Sequence, residues 1–268
     1  MRLKSIAATC LKRTEITLSL GAFTLSGAGR RNRARLEKLR GSYKGQRCFI
    51  ICNGPSLRAE DLTKIYEHSD LSIGMNAIAR IYDQTPWRPT FLSAADDVVF
   101  TPKNKELVKN CECGYKLYNR ARFLKSLGAT EKRLYLSLNQ SRDLLDNPQF
   151  SDDATKKLMS IGTTTYGMIE FAVFLGCTEI YILGCDMSYA VNINRDGTIT
   201  YNDSGKDYFA SKEEYSTSSK VNPTPTWEME IAYNYAAKYA KEHGIKIYNA
   251  TRGGKLESFE RVDFDSLF

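Results

Sequence analysis

Short apolar runs, most of them closed by a polar turn, recur along this chain with helix-like segments between them. Strands that are buried on both faces give continuous apolar runs of this kind. Strands that alternate with helices favour a parallel sheet covered by helices on both faces. The pattern therefore predicts an α/β fold: a single Rossmann-like domain with a mainly parallel sheet. The predicted strands are 47–52, 71–75, 89–93, 115–118, 133–137, 179–183 and 245–248.

Helices are predicted between these strands, at 56–67, from Asn76 to Tyr82, from the 162–165 segment to Phe174, and at 225–242. Ser56 is the expected N-cap of the first, because serine oxygens accept from free helix amides. Residues 138–158 are expected to be loop-rich. The segment 187–222 is long and polar and has no periodic pattern, which predicts a lid-like loop insertion.

The N-terminal segment is strongly basic, and we expect 1–45 to be an appendage ahead of a catalytic domain at 46–268. The 268-residue chain has a net charge of +7, and eight cations fall between residues 30 and 47. Such a cluster can attract nucleic acid, anionic lipid or a phosphorylated substrate, or be a solvated helix. The apolar residues 16–28 are too few and too interrupted to span a bilayer. We expect a cytoplasmic protein without a nucleic-acid partner, and leave open a peripheral membrane contact and a homo-oligomer.

Polar residues follow four of the predicted strands. They are Asn53 with Gly54, Asn76, Asp96 with Asp97, and the Gly184-Cys185-Asp186 turn. In parallel sheets, ligands bind beyond the carboxyl ends of the strands. This convergence predicts one ligand site at that edge.

The 54–56 turn has the chemistry of a phosphate site. Gly54 lets a ligand approach the backbone closely, and Pro55 suits a first helical position. Ser56 places a hydroxyl beside helix amides, which commonly bind anions. The alternative is an ordinary strand–turn–helix connection. Neither the dinucleotide-binding nor the P-loop glycine spacing is present.

Other residues are candidates for the same site. Thr163 and Thr164 open a helix and predict a second anion site. Asp96 and Asp97 are candidate ligands of a Mg²⁺ ion. We expect no tightly bound cofactor, and Mg²⁺ is the one ion whose involvement stays open. Asp186 is a candidate metal ligand, ribose-binding residue or base. Arg252, next to two glycines, is expected to close the site and stabilise a phosphate. At each position, a capping or solvated side chain is the alternative.

Four segments carry a resemblance to known proteins: 48–57 (CFIICNGPSL), 74–79 (GMNAIA), 162–189 and 245–264. Together they resemble a family that includes the archaeal-type 6-hydroxymethylpterin diphosphokinases. They are also similar to the bacterial lipooligosaccharide sialyltransferases, which have a Rossmann-like fold of GT-A type. The resemblance covers about 46–265 and is poor over 100–155.

The sialyltransferase resemblance implies a role for several residues. Gly54 and Ser56 would border the donor phosphate, Asn76 would contact the cytidine nucleotide, and Thr163 and Thr164 would lie near it. Asp186 matches a strand-end aspartate. The family's phosphate-binding tyrosine is Ser188 here, with Tyr189 beside it, and its histidine base has no counterpart in 187–242.

The resulting functional hypothesis is a glycosyltransferase that uses a nucleotide-activated sugar, CMP-linked, in surface glycan biosynthesis. Its partners would be that donor and a glycan or small-alcohol acceptor. One alternative is a magnesium-dependent diphosphokinase acting on 6-hydroxymethyl-dihydropterin or a related alcohol. Another is a non-catalytic nucleotide-binding protein. The chemistry of the turn alone does not decide among them.

Overall fold

The computed structural model describes residues 21–95, 102–123, 130–202, 207–209 and 225–268. Its helices are α1 (Gly27–Leu39), α2 (Ala59–Glu67), α3 (Pro102–Asn110), α4 (Arg120–Phe123), α5 (Asp143–Asp146), α6 (Thr164–Phe174) and α7 (Thr226–Glu242). Its strands are β1 (Arg47–Ile51), β2 (Leu71–Met75), β3 (Phe91–Ala94), β4 (Tyr115–Asn119), β5 (Arg133–Leu136), β6 (Leu138–Asn139), β7 (Leu158–Met159), β8 (Glu179–Leu183), β9 (Val191–Ile193), β10 (Ile199–Tyr201), β11 (Lys246–Asn249) and β12 (Glu260–Arg261).

Eight strands form one sheet in the order β12-β11-β8-β1-β2-β3-β4-β5. Every neighbouring pair in it is parallel. From β1 the chain builds the sheet outward to β5, then returns to add β8 on the other side of β1. Adjacent strands whose connections leave in opposite directions open a crevice at their carboxyl ends. The switch point between β1 and β8 is therefore where a ligand site is expected.

The two faces of the sheet bury separate hydrophobic clusters. On β1, Cys48 and Ile50 face the cluster under α6 and α7, whereas Phe49 and Ile51 face the cluster under α2. This alternation follows from the two-residue period of a strand. The expected Rossmann-like fold with helices on both faces is confirmed, and the double burial explains why β1 is apolar at successive positions.

The basic helix α1 packs along the far edge of the sheet. The Asn32 side chain pairs with the backbone of Tyr135 in β5 in both directions, at 2.8 and 3.0 Å. Leu36 joins the core, whereas Arg30, Arg31, Arg33 and Lys38 are exposed. At least from Gly27 onward, the segment predicted as an appendage is thus packed against the domain.

Three predicted elements differ from the structure. Helix α2 begins at Ala59, not at Ser56, and the helix expected after Asn76 is one 3₁₀ turn, Ile78–Ile81. The region predicted as a lid contains a β-hairpin of β9 and β10, which turns at Gly197 with a φ of +86°. The rest of that region, 203–206 and 210–222, lies outside the described residues.

Among the described helices, none is both long and apolar enough to cross a membrane.

Candidate functional site

A polar pocket opens at the carboxyl edge of the sheet, over the switch point between β1 and β8. Its empty space is about 770 Å³, including the solvent-filled mouth. Its walls are the ends of β1, β2 and β8, the start of α6, and one side of α7. The predicted site residues that it brings together are Asn53, Gly54, Pro55, Asn76, Thr163, Thr164, Gly184, Asp186 and Tyr189.

The 54–56 turn is occupied by a carboxylate of the chain itself. Asp186 Oδ2 accepts hydrogen bonds from the Ser56 hydroxyl at 2.8 Å and from the Ser56 amide at 3.3 Å. A Cβ on Gly54 would lie 2.0 Å from the same oxygen and 2.5 Å from the Gly184 carbonyl oxygen. Gly54 is therefore required for the close approach of Asp186, before any ligand is considered. Ser56 binds this carboxylate instead of capping α2.

The Asp186 side chain is 8% exposed. Burial raises the pKa of its carboxyl above the ordinary aspartate value, and the two hydrogen bonds from Ser56 oppose that shift. Burial dominates because the free-energy cost of removing the carboxylate from water exceeds the stabilisation by these two hydrogen bonds. A raised pKa in a cleft is typical of groups that exchange protons.

The 162–165 helix start is open, in contrast to the 54–56 turn. Thr163 is the N-cap of α6, and its Oγ1 accepts from the amide of Thr165 at 3.2 Å. Within the described residues, the amide of Thr164 has no hydrogen-bond acceptor, as expected for the first residue of a helix. Free amides and the positive end of an 11-residue helix attract an anion.

A buried glutamate fixes the chain that leads into this helix start. Glu170, in the middle of α6, is fully buried, and its two oxygens accept from the amides of Ser151 at 2.7 Å and Met159 at 2.5 Å. Burial raises the pKa of its carboxyl to about 9, against the opposing effect of both amides. Glu170 is therefore a structural anchor for residues 151–160.

Two asparagines that line the pocket each have a carboxamide oxygen without a hydrogen-bond donor among the described residues. Asn53 donates from Nδ2 to the Met75 carbonyl oxygen at 3.0 Å, which orients its amide. The Oδ1 atoms of Asn53 and Asn76 are buried and accept no hydrogen bond within the described structure. Asn76 adopts a left-handed backbone conformation, with a φ of +52°. Buried acceptors without a partner are costly, so this wall suits a ligand that carries hydroxyl or amino donors.

The 249–254 segment supports the site from behind. The Thr251 hydroxyl accepts from the Cys185 amide at 3.1 Å, and the Lys255 amide donates to the Asp186 carbonyl oxygen at 2.7 Å. A Cβ on Gly254 would lie 2.8 Å from that carbonyl oxygen, so the backbones touch. These contacts hold Asp186 in place.

Arg252 does not line the pocket. Its guanidinium forms a bidentate pair with Asp61 at 2.8 and 2.9 Å, and also contacts Asp265 at 2.8 Å. In this structure Arg252 therefore does not close the site, although the sequence led us to expect that it would.

The predicted metal ligands Asp96 and Asp97 lie outside the described residues. Within those residues, no group of three or more metal-ligating side chains is close enough to hold an ion.

Several pocket residues were not predicted. Tyr233 of α7 is buried, and its hydroxyl lies 3.2 Å from Thr163 Oγ1 and 3.5 Å from Cys185 Sγ. Asp207 and Tyr208 form part of the wall, where the Phe209 amide donates to the Asn53 carbonyl oxygen at 3.0 Å. The period of α7 marked its buried face, but nothing in the sequence indicated that this face meets the strand ends.

No protein-family profile and no curated protein matches this chain. Among solved structures, it resembles the MAf glycosyltransferase from Magnetospirillum magneticum AMB-1, with 15% identity and a TM-score of 0.51, over 90% of this chain and 41% of that chain. The chain thus spans about two fifths of the length of that protein. A sialyltransferase, CstII from Campylobacter jejuni in complex with the substrate analogue cytidine-5'-monophosphate, matches with 16% identity and a TM-score of 0.45, over 82% of this chain and 85% of that chain.

The likeness to the first of these structures shows a shared fold and nothing finer. It agrees with the Rossmann-like architecture expected from the sequence. Neither structure is a pterin diphosphokinase, so that part of the sequence resemblance stays a prediction.

Proposed function

We propose that this chain is a glycosyltransferase that takes a sugar from a nucleotide-activated donor. The observation that carries the proposal is that one pocket is lined both by an open helix start and by two asparagines whose carboxamide oxygens lack donors within the described residues. The Thr164 amide and the hydroxyls of Thr163 and Thr164 would bind the donor phosphate and stabilise its charge as it leaves. Asn53 and Asn76 would accept from the hydroxyl or amino groups of the nucleoside.

The finer proposal is a cytidine monophosphate sugar. Among the described residues that line the pocket, none is a lysine or arginine, while Asp186 and Asp207 are acidic. Such a wall suits a single phosphodiester better than a diphosphate, which carries more charge and usually needs a metal. The sequence resemblance to sialyltransferases leads to the same nucleotide. The fold likeness to a protein described as a glycosyltransferase supports the reaction class. A role in surface glycan synthesis belongs to the same proposal.

A thermal-shift screen tests the nucleotide first. CMP, CDP, UDP, GDP and ATP would each be added with and without Mg²⁺, because a ligand that binds the folded state raises the melting temperature. We expect CMP to give the largest shift and Mg²⁺ to be unnecessary. A shift confined to ATP with Mg²⁺ would replace this proposal with the diphosphokinase alternative. Release of CMP from CMP-N-acetylneuraminate then tests turnover.

A further inference from the structure

A second cleft lies against the first and shares residues 162–164 with it as a common wall. Its other walls come from segments 140–145 and 160–161 and from the first turn of α7. Their side chains include the polar and charged groups of Gln140, Ser141, Arg142, Ser160 and Glu228. A transferase must hold two substrates with their reacting atoms in contact. Two clefts on either side of one helix start provide that arrangement.

Glu228 is the buried charge of this second cleft. The residue is 7% exposed, and its Cβ lies 3.0 Å from the position of a Cβ on Gly162, so it packs against the common wall. Its Oε1 accepts from Arg142 Nη2 at 2.7 Å. The Arg142 side chain is 74% exposed, which leaves this counterion largely in water. Within the described residues, Glu228 Oε2 accepts no hydrogen bond.

A carboxylate in the first turn of a helix also stabilises that helix through its dipole. That effect does not require burial, however. Acidic residues are rarely buried unless they are paired, and the partner of Glu228, Arg142, is itself mostly exposed. The other carboxylate beside the helix start, Asp186, already accepts two hydrogen bonds from Ser56. The only histidines of the chain are His68 and His243, and neither lines either cleft. Both hydrogen bonds from Ser56 fall on Asp186 Oδ2, and Asp186 lines the first cleft but not the second. Among the described residues that line the second cleft, Glu228 is the one carboxylate.

We propose that the second cleft is the acceptor subsite and that Glu228 is the base, an inference that rests on the proposed glycosyl transfer. The acceptor is a carbohydrate or other polyol, whose hydroxyls suit the amide, hydroxyl and carboxylate groups of this cleft. Its oxygen attacks the anomeric carbon of the donor, and the carbon–oxygen bond to phosphate breaks with its electron pair on the phosphate. The hydroxyl proton passes to Glu228 Oε2 and then to solvent.

The test compares Glu228→Gln with Glu230→Gln, an exposed glutamate of the same helix. CMP binding is measured by thermal shift, and turnover by release of CMP from CMP-N-acetylneuraminate with water as the acceptor. We expect Glu228→Gln to lower turnover by roughly 10²- to 10⁴-fold and to leave the CMP shift unchanged. Azide has no proton to lose, so it should restore CMP release in this variant. Glu228→Asp keeps the carboxylate and should retain part of the activity.

The outcomes separate the two proposals. Wild-type protein that releases no CMP would remove the proposed function, and this inference with it. Wild-type turnover in Glu228→Gln would overturn the inference alone. Loss of the CMP shift together with turnover in Glu228→Gln, without rescue by azide, would make Glu228 structural and also overturn its role as base.

Discussion

The 54–56 turn and the 162–165 helix start resemble each other in sequence, since each has a glycine with a hydroxyl-bearing residue one or two positions later. In the structure they face the same pocket but differ in their partners. The donors of Ser56 are taken by the Asp186 carboxylate, whereas the Thr164 amide, at the start of a helix, has no acceptor in the part of the chain that the structure describes. A charged ligand would have to displace an anion at the first, whereas no carboxylate competes for the helix amide at the second within the described residues. An anion-binding motif is thus defined by vacant donors, and a glycine and a hydroxyl do not suffice.

The largest effect is expected at the turn itself. Gly54→Val places its side chain on Asp186 Oδ2 and the Gly184 carbonyl oxygen, so the ends of β1 and β8 must separate. We expect nucleotide binding to be lost and stability to fall by about 3 kcal/mol, at the upper end of ordinary overpacking. Urea unfolding measures the second effect. Gly27→Ala, in an uncrowded helical position, is the control and should not destabilise the chain. Wild-type stability in Gly54→Val would contradict the close contact.

At the helix start, Thr163→Val removes both the N-cap and a pocket hydroxyl. Loss of the cap should cost about 1 kcal/mol of stability. Loss of a hydrogen bond to a charged phosphate should weaken CMP binding roughly 10-fold or more, as measured by calorimetry. The exposed Thr178→Val is the matched control. Equal CMP affinity in the two variants would place the phosphate elsewhere.

Asp186→Asn and Ser56→Ala test whether the occupied turn contributes to phosphate binding. If the phosphate binds only at the helix start, each variant should change CMP affinity by no more than about threefold, which is about 0.65 kcal/mol. Calorimetry of both variants beside wild type measures this. CMP binding that tightens by tenfold or more in Asp186→Asn would mean that the phosphate competes with the carboxylate for Ser56. The 54–56 turn would then be a phosphate site as well.

The smallest effect on affinity is expected from Glu170→Gln, because Glu170 anchors the approach to the helix start without lining the pocket. Its effect is on pH dependence. The folded pKa of about 9 lies above the ordinary 4.5, so this contribution to stability is full below pH 4.5 and is lost as pH rises to about 9. The decline can reach about 1.4 kcal/mol per pH unit. Urea unfolding from pH 5 to pH 9 should show a flatter curve for Glu170→Gln, and equal slopes would contradict the shift.

The sequence predicts the sheet well because burial on both faces leaves a strong local signal. The seven predicted strands correspond to seven of the eight in the main sheet, and β12 at Glu260–Arg261 was missed because two exposed residues carry no apolar pattern. The hairpin of β9 and β10 was missed because each strand has only three residues and none of them is buried. Helix starts were less accurate, because Ser56 and Thr163 offer the same hydroxyl and only tertiary contacts decide which one caps.

Most of the candidate site follows from the sequence, since parallel strand ends must converge at one edge. The pairing of side chains within the site cannot be predicted from the sequence, because the paired residues come from distant segments. Nothing local indicates that Asp186 reaches Ser56, 130 residues away, or that Arg252 pairs with Asp61. Glu228 was overlooked because an acidic residue in the first turn of a helix is already explained by its interaction with the helix dipole.

The position of β8 next to β1 also bears on how the chain is made. While a ribosome synthesises the protein, β1 can pair with β2 early, but its other edge has no partner until β8 emerges, more than 120 residues later. Unpaired strand edges invite association between nascent chains, and pairing between distant segments is slow. The unpaired edge of β1 is therefore where nascent chains would associate, and truncation before Glu179 should give an insoluble product.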